Sequence, residues 1–455
     1  MRLDEYLDTV SEQIRYTKIR STVTDELKNH ILDQAAAYED LGAFPEEALE
    51  RAVREMGDPV ETGVALDRVH RPQMNWGLVA LIGILSVFGI GIFYLANIAG
   101  FDMYPWQNQA LYTGIGFLLM LGIYYLDYSF LSKYNWQLCI IYIVLFMLGQ
   151  FFFGQSIYGM RRWIIIPYMP FGISISESML LYVPLFGAAL YAFRGDGYEI
   201  LWKAGLLTLI PSYFVFRTPD LSAATILFTS LFCLFIFAVW KDWYQISRKI
   251  VAGISGGIVL LIPVAFTGYF YFFGAPYHAD RIRAFFSPTE DGSYIVSLAK
   301  SMREGSALIG KSQSSVEQLV NGPATDFLTD YILVSMCTLY GTLLTIGVIA
   351  LLIIIIMKIF QISVTQKNQL GMIIGFGCGL VFFVKVLVSI LVNLQLIPHV
   401  SINMPFLSYG GSTTIVSYCL LGLVLSIYRY KNILPNHTAT GKRRRLKLTL
   451  TWETK

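Results

Sequence analysis

The residues best suited to chemistry lie in two charged segments of an otherwise apolar chain. Arg161 and Arg162 are adjacent, and two neighbouring guanidinium groups at a membrane surface can bind phosphate oxygens bidentately. The same pair could instead anchor the segment to lipid headgroups. The second segment, residues 274–326, contains Asp291, whose carboxylate could take a proton from a hydroxyl nucleophile. A lone loop carboxylate is otherwise usually solvated.

A polar motif and an isolated lysine lie further along the chain. Residues 405–412 read PFLSYGGS, where the proline and the glycine pair permit irregular backbone while Ser408 and Tyr409 supply polar contacts. Such a segment is either a packing turn or part of a site. Lys385 interrupts the apolar run Gly379–Val392, so it is either half of a structural ion pair or a cation that faces substrate.

The chain that must position these residues is too apolar for a water-soluble enzyme. Of its 455 residues, 55% are hydrophobic and only 14% are charged, whereas soluble domains have about 25% charged residues. This composition excludes collagen-like, disordered, disulfide-rich and nucleic-acid-binding proteins. Charge is also unevenly distributed, because residues 1–72 contain 16 acidic and 9 basic residues, a net charge of −7. We therefore expect a small acidic domain followed by a membrane domain.

Residues 1–72 predict a small soluble bundle of short helices. Apolar residues recur at helical spacing in Leu3–Ile14 and Val23–Tyr38, and again beyond residue 44. Asp58 followed by Pro59 is typical of a helix N-terminus. No secretory signal precedes these helices, which predicts a cytoplasmic domain. A docking or regulatory role is expected, since no catalytic constellation is present.

Residues 73–435 predict an all-α, polytopic membrane domain with about ten transmembrane helices. Runs long enough to cross about 30 Å of hydrocarbon begin near Trp76, Ala110, Gln137, Met179, Leu201, Leu221, Val251, Tyr331, Met372 and Thr413. Lysine and arginine concentrate in alternate short loops. The positive-inside rule then places both termini and the basic tail 436–455 in the cytoplasm, with the large loop 274–326 outside.

The motif at 405–412, preceded by Asn393 and Asn403, closely resembles the signature of the SEDS family of bacterial shape, elongation, division and sporulation proteins. This family includes RodA, FtsW and SpoVE. GMRRWI at 159–164 is similar to the family's G..RWI element, and Ser176–Glu177 to the end of its QPSE. Ten helices with a long loop after the seventh are also the family's architecture.

Further similarities follow in the same order along the chain. RTPDL at 217–221 corresponds to the family's QPDLG, and RIR at 281–283 with Pro288 and Asp291 corresponds to the R...F..P..D stretch of its large loop. TDF at 325–327 follows. The N-terminal segment separately resembles the HAAS or permease-prefix domains, which are thought to be regulatory or interactive.

The SEDS resemblance implies a glycosyltransferase of the bacterial cytoplasmic membrane. It would polymerise lipid II, the undecaprenyl-diphosphate-linked disaccharide-pentapeptide, into peptidoglycan strands at the outer membrane face, in cell shape, division or sporulation. Asp291 matches the catalytic aspartate and would be the base. Mg²⁺ or Mn²⁺ could assist the departing diphosphate. The implied partner is a transpeptidase penicillin-binding protein; nucleic acid is not a partner.

The remaining candidates are predicted to bind substrate. They are Arg161, Arg162, Trp163, Glu177, Asp220, Arg281, Lys300, Lys311, Asp326, Lys385, Ser408, Tyr409, Gly410 and Gly411. Carboxylates close to the membrane are costly unless paired, so we also expect Glu177 and Asp220 to pair with an external arginine: Arg161, Arg162 or Arg217.

Several positions depart from the family pattern. The QPSE element is usually followed three residues later by lysine, but Leu180 stands there and Glu177 loses its expected cation. The glycine-rich run has become GSALIGKS at 305–312, the glutamate before TDF is missing, and no acid lies near Gly341. Two alternative functions therefore remain: a non-catalytic scaffold or regulator of cell-wall synthesis, and a transporter of lipid-linked precursors.

Overall fold

The computed structural model describes residues 2–100, 104–157, 160–165, 172–218, 220–257, 285, 294–312, 316–317 and 327–433. The chain forms two compact units, one from residues 1–75 and 428–435 and the other containing residues 76–427. In the described ranges almost all regular structure is helical, which confirms the all-α prediction.

Four helices build the N-terminal unit. They are α1 (Leu3–Gln13), α2 (Arg20–Asp40), α3 (Pro45–Glu55) and α4 (Pro59–His70). Their apolar faces meet in one small core made of Tyr6, Leu7, Val10, Ile31, Ala35, Ala48, Ala52 and Val53. A second, smaller cluster of Ile14, Ile19 and Val23 receives Ile433 from the C-terminal segment of the same unit.

The start of α4 follows the sequence prediction closely. The Asp58 carboxylate accepts hydrogen bonds from the backbone N–H groups of Val60 (2.7 Å) and Glu61 (3.1 Å), and Pro59 occupies the first turn. Gly57, with φ of +79°, lies between α3 and this cap in a conformation that favours glycine. The predicted helix start is confirmed.

Further helices with described bounds lie in the membrane unit. They are α5 (Trp76–Ile98), α6 (Trp106–Tyr125), α7 (Phe130–Phe153), α8 (Ile175–Ser178), α9 (Tyr182–Ala192), α10 (Glu199–Arg217), α11 (Leu221–Trp240), α12 (Tyr294–Glu304), α13 (Ile332–Tyr340), α14 (Thr342–Val364), α15 (Gln369–Asn393) and α16 (Gly411–Arg429). Among the described residues, eight helical segments are long and apolar enough to span a membrane, with Ile175–Ala192 counted as one. The protein is therefore a multi-pass membrane protein.

Two of the predicted spans are not single helices of the described residues. The span predicted from Val251 extends into residues 258–284, which lie outside the described residues. The helix predicted from Tyr331 is divided at Gly341, whose φ is +94°. A β-carbon there would lie 2.8 Å from the backbone oxygen of Leu308, so the close approach of the 305–312 segment requires glycine. The division separates α13 from α14.

A small antiparallel sheet, absent from the sequence prediction, follows α7. Its strands are β1 (Gly154–Ile157), β2 (Met160–Ile164) and β3 (Ile173–Ser174), in the order β1-β2-β3. Trp163 on β2 pairs with Ser174 on β3. Strands of two to five residues are too short to produce a readable alternation of polar and apolar residues. The sheet matters because β2 carries the two adjacent arginines and β3 leads into α8.

Candidate active site

A cavity of about 430 Å³ that contains several charged and polar side chains lies within the membrane unit, where the small sheet, α8, α11, α15 and the segment before α16 meet. It brings together predicted residues that are far apart in sequence. Those lining it are Arg162, Trp163, Glu177, Asp220, Lys385, Tyr409, Gly410 and Gly411. The cavity is thus built from the segments that carried the predicted binding residues.

A buried ion pair lies in the lining of this cavity. Lys385 Nζ lies 2.6 Å from Glu177 Oε2, and the two side chains are 4% and 14% exposed. Lys385 comes from α15, which packs against α9, α11 and α14. The sequence left open whether Lys385 was structural or faced substrate; it lines the cavity and is also paired. The family pattern places a lysine at the position of Leu180. In this protein the cation that pairs with Glu177 is Lys385, which comes from a different helix.

Glu177 is held in place by the motif at 405–412. Ser174 caps α8, because its hydroxyl accepts a hydrogen bond from the backbone N–H of Glu177 at 3.4 Å. The backbone N–H of Ser174 in turn donates to Ser412 Oγ at 2.8 Å, and Ser412 Oγ donates to the Gly172 carbonyl at 3.2 Å. The start of α16 and the start of α8 are therefore fixed to one another.

Asp220 is positioned at the N-terminus of α11. Its carboxylate accepts a hydrogen bond from the backbone N–H of Ala223 at 3.0 Å. A carboxylate at this place also interacts favourably with the positive end of the helix dipole. Capping is therefore the role that the structure gives Asp220, whereas ion pairing with an external arginine stays a prediction. The observed cation of Glu177 is Lys385.

Ser408 and its neighbours form the irregular backbone that the motif predicted. Ser408 Oγ donates to the Thr329 carbonyl at 2.6 Å and accepts from the backbone N–H of Met404 at 2.8 Å, so this hydroxyl is fully occupied and does not line the cavity. Phe406 has φ of +67°. Its carbonyl oxygen would lie 2.2 Å from a β-carbon at Gly89, so α5 accommodates the turn through a glycine.

Tyr409 closes one side of the cavity with other aromatic rings. Its ring centroid lies 4.5 Å from that of Tyr104 and 5.4 Å from that of Phe93. Its hydroxyl accepts from Asn108 Nδ2 at 3.3 Å, and its backbone N–H donates to the Leu328 carbonyl at 3.1 Å. The predicted motif is therefore both a packing turn and a cavity wall.

Three further predicted residues of the described part of the chain do not line the cavity. Arg161, Lys300 and Lys311 are exposed, and none of them lines the cavity. Their roles in substrate binding stay predictions. Asp291, Arg281 and Asp326 lie outside the described residues.

Sequence reasoning missed Asp330, which also lines the cavity together with Asn403, a residue noted only as part of the family resemblance. It quoted Asn393 only as part of a resemblance, yet this side chain organises the region. Asn393 Oδ1 accepts from the backbone N–H groups of Leu333 (3.1 Å) and Val334 (3.3 Å), and Nδ2 donates to the Asp330 carbonyl at 2.9 Å. Asn393 thus provides a hydrogen-bond acceptor for the free N–H groups at the N-terminus of α13. An intramembrane asparagine is the signal that could have indicated this.

The described part of the chain contains no group of three or more His, Cys, Asp or Glu side chains placed to hold a metal ion. The predicted catalytic loop lies largely beyond that part. A divalent cation stays a prediction.

Comparison with known proteins agrees with this architecture. The model of the FtsW, RodA and SpoVE family, described as cell cycle protein, matches residues 71–433. The chain belongs to this family. The match spans the whole membrane unit and leaves most of the N-terminal unit outside it.

Relatives and solved structures resemble the chain over most of its length. It is 24% identical over 360 residues to the probable peptidoglycan glycosyltransferase FtsW of Borreliella burgdorferi, covering 76% of this chain and 93% of that one. It is 24% identical over 337 residues to the peptidoglycan glycosyltransferase MrdB of Helicobacter pylori strain J99, covering 73% and 85%.

Two solved structures share the fold. A chain from a peptidoglycan synthase complex, described as coordinating polymerization and crosslinking, superimposes with a TM-score of 0.62 at 22% identity, covering 79% of this chain and 99% of that one. RodA of Thermus thermophilus gives a TM-score of 0.55 at 19% identity, covering 79% and 97%.

Proposed function

We propose that this protein is a peptidoglycan glycosyltransferase that polymerises lipid II at the outer face of the cytoplasmic membrane. The observation that carries the proposal is the buried Lys385–Glu177 pair in a cavity inside an apolar helix bundle. Intramembrane charges are costly and usually mark substrate sites. The family membership of residues 71–433 and the names of its relatives as peptidoglycan glycosyltransferases support the same reaction.

The cations of the cavity suit a lipid-linked diphosphate. Lys385 and Arg162 both line the cavity, and Lys385 is neutralised by Glu177 when substrate is absent. A diphosphate carries more negative charge than one carboxylate, so it can compete with Glu177 for the Lys385 ammonium. The low dielectric of the site strengthens this attraction. Lys385 would then stabilise the leaving group as its negative charge develops.

The reaction itself requires one further group. The acceptor sugar hydroxyl attacks the anomeric carbon of the donor, a new C–O bond forms, and the bond to the diphosphate breaks with its electron pair leaving on the diphosphate. The hydroxyl proton goes to a base. Asp291 is our proposed base, on its correspondence to the family's loop motif.

The positions of basic residues support an outward-facing cavity. Lys133, Arg194 and Lys241 lie at the start of α7 and just beyond the ends of α9 and α11. The cavity residues Trp163, Glu177 and Asp220 lie at the opposite ends of these helical segments. With the basic ends in the cytoplasm, the cavity opens toward the outer face, and both termini are cytoplasmic.

A transpeptidase penicillin-binding protein is the proposed partner. Polymerised strands must be crosslinked, and a solved chain of the same fold belongs to a complex that coordinates the two activities. Co-purification of a tagged full-length chain with the penicillin-binding proteins of its host would test this partnership.

The decisive experiment is polymerisation of lipid II by the purified protein in nanodiscs. The parent chain should produce glycan strands, and Asp291→Ala should abolish them, while Glu290→Ala, a change to the neighbouring loop carboxylate, should leave most activity. An inactive parent would favour the scaffold or transporter alternatives. An active Asp291→Ala variant would remove Asp291 as the base.

A further inference from the structure

Asp330 and His399 form a second buried pair of ionisable side chains that the proposed reaction does not use. Asp330 lines the cavity and is 4% exposed. His399 Nε2 lies 3.4 Å from Asp330 Oδ2, and the side chains are 10% and 5% exposed. Neither residue belongs to a motif singled out in the sequence, so any role must be argued from the contacts of these two side chains.

The Asp330 carboxylate is rigidly held through one oxygen. Oδ1 accepts hydrogen bonds from the backbone N–H of Ile402 at 3.0 Å and from Ser401 Oγ at 3.2 Å. The Asp330 carbonyl is fixed separately by Asn393 Nδ2. These contacts come from α15 and from the segment that follows it. They fix Oδ1 and leave Oδ2 as the second acceptor atom of the carboxylate.

The other oxygen faces an incompletely satisfied imidazole. The His399 ring stacks on Tyr331, with centroids 5.0 Å apart and planes 13° from parallel. Although Nε2 is within ion-pair distance of Oδ2, it is buried without a well-formed hydrogen bond in the described residues. A buried polar atom that lacks a partner is costly, so this arrangement needs an additional donor or acceptor.

We propose that Asp330 binds a neutral hydrogen-bond donor of the substrate, a sugar hydroxyl or an acetamido N–H, with His399 as the residue that positions the carboxylate. The inference rests on the proposed function and extends it to the carbohydrate part of the substrate. A carboxylate repels phosphate but accepts strongly from hydroxyl and amide groups. In the cavity, Lys385 and Arg162 therefore bind the diphosphate, and Asp330 binds the sugar.

Binding of lipid II to the full-length protein in nanodiscs tests the role of Asp330. Asp330→Asn keeps the side-chain shape and an acceptor for Ser401 and Ile402 but removes the charge. We expect the Kd for lipid II to rise roughly tenfold to hundredfold, as for loss of a charged hydrogen bond. Asp127→Asn is the matched control, because Asp127 also accepts a backbone hydrogen bond, from Ser129, but does not line the cavity.

Two substitutions of His399 separate positioning from packing. His399→Gln keeps an N–H donor at a similar reach and should bind lipid II within about threefold of the parent. His399→Phe keeps a ring over Tyr331 but no donor, and should raise the Kd severalfold. Adding His399→Phe to Asp330→Asn should cause little further loss, because residues that act through one contact are non-additive.

The outcomes distinguish this inference from the proposed function. A parent that binds lipid II without polymerising it contradicts the proposed reaction, whereas the Kd of Asp330→Asn still decides the role of Asp330. Parent-like binding by Asp330→Asn, or equal weakening by Asp127→Asn, overturns the inference. Equal Kd values for His399→Gln and His399→Phe overturn the positioning role. A parent that does not bind lipid II contradicts both proposals.

Discussion

The two units of this protein differ in the burial of their best-enclosed ion pairs. In the N-terminal unit, the Arg51–Glu55 and Arg15–Asp67 pairs involve arginine side chains that are 56% and 79% exposed. In the membrane unit, the Lys385–Glu177 pair is almost completely buried. The first unit is rich in charge and keeps it in water, whereas the second has little charge and encloses part of it.

This difference shows that the number of charges says little about their energetic importance. An exposed ion pair contributes about 0–1 kcal/mol to the free energy of unfolding. Removing one partner of a buried pair costs about 3–5 kcal/mol, because the other charge stays buried without compensation. The enclosed charges of the membrane unit should therefore be the sensitive ones, and substitutions can test that ordering.

Lys385→Met should have the largest effect. It leaves the Glu177 carboxylate buried without a cation, so we expect a loss of about 3–5 kcal/mol in the free energy of unfolding and loss of polymerisation. Thermal unfolding in detergent and lipid II turnover would measure both. Lys367→Met, an exposed lysine just before α15, is the control and should change stability by less than about 0.5 kcal/mol. Equal effects of the two substitutions would show that burial does not set the ranking.

A lysine at position 180 tests whether the cation that pairs with Glu177 can come from a different position. Leu180 is 2% exposed, lines the cavity and lies three residues after Glu177, within the helical segment Ile175–Ala192. Leu180→Lys in the Lys385→Met background should therefore recover a large part of the lost unfolding free energy, since residues three apart on a helix are neighbours. A double variant as unstable as Lys385→Met alone would show that only α15 can supply the charge.

Gly89→Ala should have the next largest effect, because it removes the space for the 405–412 turn. The new β-carbon would lie 2.2 Å from the Phe406 carbonyl oxygen, so backbone must shift at a cost of about 1–3 kcal/mol. Activity should fall with stability, since the same turn positions Tyr409. Gly83→Ala on the same helix meets no atom within 4 Å and should be neutral in the same unfolding assay. A neutral Gly89→Ala would exclude tight packing at this point.

Asp58→Ala should have a smaller effect, confined to the N-terminal unit. It removes the acceptor for the first N–H groups of α4 and should lower the free energy of unfolding by about 1 kcal/mol. Asp58→Asn retains a good cap and should behave like the parent in circular dichroism and thermal unfolding. Polymerisation should be unchanged in both variants; a loss of activity would link α4 directly to the reaction.

Tyr38→Phe should have the smallest effect. The hydrogen bond from the Tyr38 hydroxyl is the main cause that holds the pKa of Glu55 below its ordinary value of 4.5. A carboxyl whose pKa is lowered by folding contributes stability above its unfolded pKa, and loses it as the pH falls through the folded pKa. Tyr38→Phe should raise the pKa of Glu55 and weaken this acid sensitivity, measured by NMR titration of labelled glutamate. Tyr16→Phe, in the same unit, should leave that titration unchanged.

Much of the fold could be predicted from local patterns. The apolar runs that begin near Trp76 and Leu221 became helices of twenty or more residues, because a chain in hydrocarbon must satisfy its backbone hydrogen bonds internally. Asp58 and Pro59 marked the start of α4 for a similarly local reason. PFLSYGGS indicated irregular backbone, which appears with Phe406 at positive φ.

The sequence by itself determined the division into a charged unit and an apolar one, the helical spans and the residue types available to a site. The tertiary structure decided which of those residues meet. Nothing local connects Glu177 with Lys385 across 208 positions, or Asp330 with His399. The periodicity of apolar residues indicates which face of each segment is buried. Pairing depends on how the packed helices bring distant positions together. A buried charge without a partner is costly, so the charges that packing brings close together form pairs.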